Sequence, residues 1–468
     1  MRKVAGLLYS NAEFERRLAV KWRLSDVSTG RRLELDAMRG VMLVWIALTH
    51  LPTAASAWVN QPFGFVGAAE GFIFLSALFT GRIYFRIAER DGYPAMTRKL
   101  WGRTLRLYGY HVVLLAFAFL VAVPIASHGD RPGLHNLLDF YFLAGPKQAV
   151  TEAALLIYRP PLLDILPMYI IFLLLTSIAI PLARSIGWKP ILWASSSFWV
   201  LAQFGFRGAE HTFMMRYIPT RIPLNEMGSF DLWAWQFLWF VGVWLGVRWA
   251  QESLAIETWA KRAAVPAVVV AVSCFIMRRK LAHGLELGPL EFLFDKWHLG
   301  PVRMLDFAAV AALLILSQRI TKAAAIRPLV LLGQSSLQVF CVHLLFCFAG
   351  LTLLGNAALL NGWRQFALLS MTITGMLITA RIFSKSEAKN EGQGKIQISS
   401  GSNSACVTNL AVGRKPAGAD LVGQDLIRLT SRSSDKAKTV GETDRARPTD
   451  SQTGLSICPP EIGPEKAR

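Results

Sequence analysis

The feature that most constrains this chain is a series of apolar runs of about 18 residues or more, long enough to cross roughly 30 Å of hydrocarbon at 1.5 Å of helical rise per residue. Ten such segments are expected, near 34–54, 63–85, 105–126, 162–183, 190–206, 231–249, 263–279, 303–318, 328–354 and 365–383. The expected fold is therefore all-α, a polytopic integral membrane protein of about ten transmembrane helices. From about Ser384 the sequence turns to Ser, Thr, Gly and charged residues with few aromatics, which cannot bury enough apolar surface to offset chain entropy. Residues 384–468 are expected to form a disordered cytoplasmic tail, residues 1–30 a cytoplasmic N-terminal segment, and 31–383 the single membrane domain.

The charges between the runs set an orientation. Arg31 and Arg32 precede the first run, and the uncharged LPTAASAWVNQP follows it, so the N-terminus is placed inside. Arg82, Arg86, Arg90, Arg98, Lys99 and Arg103 fill the next connection, and basic residues recur at every second loop thereafter. Both termini then lie in the cytoplasm. The connections expected outside, 127–161, 207–230 and 280–302, are longer and of mixed charge. They suit a polar acceptor such as a glycan, or serve as hydrated connectors.

The net charge of +19 in 468 residues raises nucleic acid as a partner, but the basic residues flank apolar runs and no recognition motif accompanies them. Cys274, Cys341 and Cys347 lie in apolar segments and Cys406 and Cys458 in the polar tail, which is no disulfide framework. No metal-binding spacing is present. The first 30 residues carry charges throughout and lack the core of a cleavable signal, so the first span is expected to insert as a signal anchor.

Against this apolar background, ionisable groups cost roughly 2.5 to 3.5 kcal/mol each at the bilayer centre and require a reason. Arg39 and His50 are eleven residues apart, which at 100° per residue returns to within about 20° of the same helical face after roughly 16 Å of rise. One face of the first span thus carries an anion-binding group inside and a proton-handling group toward the outside. The plainer alternatives are an interfacial anchor for Arg39 and an interhelical hydrogen bond for His50. Glu70, in the second span, is the expected partner that orients and charges His50, or else one half of a structural pair between helices. Asp36 stands one turn before Arg39, positioned to hold its guanidinium. Arg103 and Arg106 share a side of the third span and suit phosphate or carboxylate recognition at the cytoplasmic mouth, as well as simple positive-inside topology. His343 falls about 15 residues into the ninth span, where it converges with His50 and Glu70 as a substrate-binding group or remains a satisfied buried histidine. For Ser76 helix packing, and for His111 a structural role, are the readings preferred over chemistry.

The segments RLELDAMRGVMLVWIALTHLPT, QPFGFVGAAEGFIFLSALFTG, LPMYIIFLLL and LLGQSSLQVFCVHLLF resemble the OpgC family, membrane proteins associated with succinyl substitution of osmoregulated periplasmic glucans. That family is similar to the wider acyltransferase-3 group, whose Arg-x10-His motif is matched by Arg39 and His50 and whose Arg-x-x-Arg motif is matched by Arg103 and Arg106. The acidic residue of the second span is matched by Glu70, whereas the glycine expected after Ser76 is Ala77. The resemblance covers about 31–383 and leaves the tail without a counterpart. It implies an O-acyltransferase of the bacterial inner membrane that carries succinyl from cytoplasmic succinyl-CoA to hydroxyls of a periplasmic glucan, with no metal. In that scheme Arg39, Arg103 and Arg106, with Asp36 in support, hold the donor phosphates, while His50 acts as general base oriented by Glu70. The rival from another class is a transporter of a glycan or lipid-linked sugar, with the same charges lining a pathway; a membrane scaffold is the third possibility.

Overall fold

The computed structural model describes residues 32–407 except 130, 219, 253–255, 283, 286, 324 and 356–359, with the backbone alone for 256, 318 and 385–407. The segment 1–31, expected in the cytoplasm, and the part of the expected disordered tail from 408 to 468 lie outside the described residues. The described residues up to Ser400 belong to one compact unit, and all that follows concerns it.

All ten expected segments are helical, and no strand occurs among the described residues. The principal helices are α1 (Leu33–His50), α2 (Ala68–Asp91), α3 (Tyr93–Phe117, continued by a π-helical turn and Val123–His128), α4 (Ile165–Ile186), α5 (Trp188–Gln203) and α6 (Leu232–Ala250). They are followed by α7 (Ala264–Ala282), α8 (Pro301–Leu316), α9 (Arg327–Gln334), α10 (Ser336–Leu354) and α11 (Gly362–Val407). Six stretches are long and apolar enough to cross a membrane: α2, α3 with its continuation, α4, Leu224–Ala250, α10 and residues 362–384 of α11. The other expected spans are helical but shorter or more charged. α5 and α8, at 16 residues each, rise only about 24 Å. α1 carries Glu34, Asp36 and Arg39, and α7 carries Arg278, Arg279 and Lys280. The ninth segment is not one helix, since Ser335 breaks it into α9 and α10.

The surface has the inverted character expected of a body in lipid. Leu105, Val113 and Leu120 of α3, Ile178 of α4, Trp193 of α5 and Phe366 of α11 are all exposed, while Asp36, Glu70, Asp306, Arg303 and His343 are buried. Since association between apolar helices in lipid depends on close packing and polar ties, glycine at the crossings matters. At the α2–α6 crossing a Cβ on Gly81 would stand 2.1 Å from the Val243 carbonyl oxygen, and one on Gly246 2.1 Å from that of Leu78. Ala77, where the resembling pattern has glycine, packs there against Gly242, so the small partner on the opposite helix absorbs the extra methyl. α1 meets α9 as closely: a Cβ on Gly333 would lie 1.8 Å from the Asp36 carbonyl oxygen. Side-chain hydrogen bonds add specific ties, with Trp239 Nε1 donating to Thr176 Oγ1 at 2.8 Å between α6 and α4 and Gln236 Nε2 donating to the Ser195 carbonyl at 2.7 Å between α6 and α5.

Candidate active site

Pro52 determines where α1 ends. The residue before a proline is driven out of helical geometry, and Leu51 is accordingly extended at φ −76° and ψ 138°. His50 is thereby the last residue of α1, and its ring is exposed. Across from it stands His343, in the middle of α10 and fully buried. The two imidazoles stack with ring centroids 6.0 Å apart and planes inclined by 20°. His343 Nδ1 is hydrogen-bonded to the carbonyl of Phe340 one turn earlier, so that nitrogen carries the proton and Nε2 carries the lone pair. Among the described residues that buried Nε2 has no hydrogen-bond partner. The convergence of His50 with His343 expected from the sequence is therefore realised.

The expected pairing of Glu70 with His50 is not. Glu70 is the third residue of α2 and caps it, accepting from the Gly67 amide at 3.1 Å through Oε2. Its other oxygen is ion-paired at 2.7 Å with Nη1 of Arg303 from α8, and both side chains are buried. Arg303 also donates to the carbonyl of Phe65 and, at 3.4 Å, to that of Phe294. One turn on, Asp306 Oδ2 accepts from the Phe65 amide at 2.6 Å. Gly64 makes this possible: its φ of +97° is unfavourable for other residues, and a Cβ there would lie 2.5 Å from Asp306 Oδ2. Glu70 is thus a strut between α2, α8 and the 63–67 turn rather than the orienter of an imidazole. Arg303 and Asp306 escaped the sequence reading. Their signal was two opposite charges at helical spacing at the head of an apolar run, where charge is costly.

At the inner end of the α1 face, Arg39 donates through Nη2 to Ser336 Oγ, and its guanidinium lies over the Phe79 ring at 5.3 Å. Ser336 is available because the helix breaks at Ser335 and restarts there. Arg103 Nη1 reaches Thr80 Oγ1 of α2 at 3.5 Å. The charges of Arg39 and Arg103 both act on buried Tyr169, beside Ser76, so α1 and α3 direct two cations at one polar seam. Arg106, expected to act with Arg103, is exposed instead. The third cation on this side is Arg82, stacked on the Trp249 ring at 3.4 Å with Arg32 at 5.7 Å from the same ring. Asp36 is buried one turn before Arg39, where α9 closes on its backbone. Ser76 is buried in the packing, as expected, and buried His111 lies 6.5 Å from the Tyr108 ring, outside the histidine pair.

One further group faces the site from the connection between α7 and α8. The charge of Lys296 acts on the His50 ring and, in turn, feels Glu70, Arg303 and Asp164. The neighbouring His298 is clasped by Asp295 through Nδ1 and lies 3.8 Å from buried Asp231 through Nε2. A base pair of imidazoles, a set of cations one helix length away and a charged outer rim together can hold an anionic donor at one end and remove a hydroxyl proton at the other.

A family model described as OpgC protein matches residues 31–388, a stretch that contains every residue of the site described above. No curated protein and no solved structure matches the chain.

Proposed function

Because the chain belongs to the OpgC family, we propose that it is a membrane-embedded O-acyltransferase that moves succinyl from cytoplasmic succinyl-CoA to hydroxyls of a periplasmic glucan in the bacterial inner membrane, with both termini in the cytoplasm. The observation that carries the reading is the stacked His50–His343 pair with the lone pair of His343 Nε2 left unpartnered in a fully buried position. Imidazoles held in place with a lone pair that no permanent donor occupies are what removal of a substrate proton requires.

In the reaction the acceptor hydroxyl oxygen attacks the thioester carbonyl carbon and forms the new C–O bond. The C–S bond breaks, the hydroxyl proton passes to imidazole, and the thiolate of CoA regains a proton on departure. His50, exposed at the end of α1, takes the proton, and His343, fixed through Phe340, sets the position of the His50 ring. Arg39 and Arg103 bind donor phosphates at the inner end, with exposed Arg106 extending the cationic mouth and Asp36 supporting the turn that bears Arg39. The acyl group need not be attached to the protein at any stage.

Replacing His50 by Ala is expected to remove acylation of the glucan while the protein stays inserted and abundant, because a general base contributes about 10²- to 10⁴-fold. Mass spectrometry of periplasmic glucans from cells with wild-type and His50→Ala protein checks this. Ordinary amounts of succinylated glucan in the variant would remove the assignment.

A further inference from the structure

Lys296 is unusual among the cations of this molecule. Its chain leaves the 3-10 turn Gly288–Phe294 and its ammonium lies over the Trp297 ring at 4.6 Å, half-buried. It lines a recess of about 500 Å³ together with Leu287, Glu291, Phe292 and Phe294, and its charge also reaches the His50 ring. It therefore lines an opening on the loop side and is near enough to the proposed base for its charge to act there.

The buried and half-buried carboxylates around it are engaged elsewhere, and Glu291 of the same recess is exposed and forms no ion pair with it among the described residues. Glu70 is held by Arg303 and the Gly67 amide, Asp164 accepts from the Ser229 amide at 2.9 Å, and Asp295 is clasped to His298. Among the described residues Lys296 forms no ion pair. Burial, the larger influence, lowers its pKa, with Arg303 acting in the same direction and Glu70 opposing. An ammonium kept half out of water without a counterion costs free energy that an arriving anion can recover.

We propose that Lys296 is the specificity-determining residue for the acyl group, forming an ion pair with a carboxylate at the far end of the chain whose thioester carbonyl sits beside His50. The inference rests on the acyl-transfer reading above and deepens it: the ligand class is a dicarboxylic acyl donor, and a monocarboxylic acyl group leaves the ammonium unpaired. An anionic substituent on the acceptor has the same chemistry, so a neutral glucan serves as the acceptor in the test.

The full-length protein in lipid nanodiscs is given succinyl-CoA or acetyl-CoA with neutral glucan, and ester formation is followed by mass spectrometry. The readout is the ratio of succinyl to acetyl transfer, which a structural role for Lys296 would leave unchanged because both rates would fall together. In Lys296→Met the ratio is expected to fall about 10- to 100-fold through the succinyl KM, the range for loss of one charged hydrogen bond. Lys296→Arg is expected to restore most of it. An unchanged ratio in Lys296→Met, whatever the absolute rates, overturns the inference and leaves acyl transfer standing. Wild-type protein that esterifies the glucan with neither donor overturns the acyl-transfer reading and this inference with it.

Discussion

At the scale of single residues, Glu70 shows how a charge can be necessary without touching the chemistry. Both of its oxygens are taken, one by the helix cap and one by Arg303. Removing one member of a buried ion pair strands the other, at a cost of about 3 to 5 kcal/mol, whereas replacing both by apolar residues of similar volume is often neutral. Glu70→Leu and Arg303→Met alone are therefore expected to lower the melting temperature in detergent steeply, and the double variant to recover most of that loss. If Glu70 instead oriented His50, the double variant would regain stability without regaining acylation. Thermal scans paired with the glucan assay separate the two outcomes. Arg39 and His50 were legible in the sequence because helical periodicity alone puts them on one face. The Glu70–Arg303 pair was not, because it joins residues 233 apart through the packing of α2 against the turn beneath α8.

At the scale of elements, the connection that presents Lys296 is fastened by one titratable clasp. His298 is raised above its ordinary 6.5, chiefly by the hydrogen bond to Asp295 and further by Asp231, against burial and Arg207. For Asp295 burial acts to raise the carboxyl, but the bonds from His298 and from the Trp297 and His298 amides outweigh it and hold the group at about 2. A raised histidine contributes stability that is complete below 6.5 and lost as pH climbs through its folded value. A depressed carboxyl contributes stability present above 3.8 and lost as pH falls toward about 2. The clasp is therefore firmest between about pH 4 and 6.5 and loosens on the alkaline side. Hydrogen exchange of the Trp297 and His298 amides, corrected for intrinsic rates, should show protection falling between pH 6 and pH 9. Protection that is flat or rising over that interval would exclude the mechanism. Helix placement itself was readable from hydropathy, whereas the break at Ser335 that supplies Ser336 to Arg39 was not. Residues 328–354 are apolar enough to continue, and it is the approach of Gly333 to the α1 backbone, a tertiary fact, that accompanies the interruption.

At the scale of the whole molecule, the proposal requires that the two ends of α1 face different compartments. The cations Arg39, Arg82 and Arg103 gather around one end, and His50 and His343 stand at the other, with Tyr169 and Ser76 buried between. Hydropathy and loop charge indicate this polarity, but α1 itself, with three charges in 18 residues, is not among the helices long and apolar enough to cross a membrane. Its charges are tolerable because neighbours take them up: α10 supplies Ser336, α2 supplies Phe79, and α9 closes over Asp36. Sidedness can be tested without disturbing the interior. Trp58, 84% exposed just beyond α1, and Glu89, exposed near the end of α2, should lie on opposite faces. In intact spheroplasts an impermeant maleimide is expected to label Trp58→Cys in protein otherwise free of reactive cysteine, and to label Glu89→Cys only after the membrane is opened. Equal labelling of both before permeabilisation would place the two ends of the α1–α2 hairpin in one compartment, and a donor bound at Arg39 could then not be used for an acceptor on the far side of the bilayer.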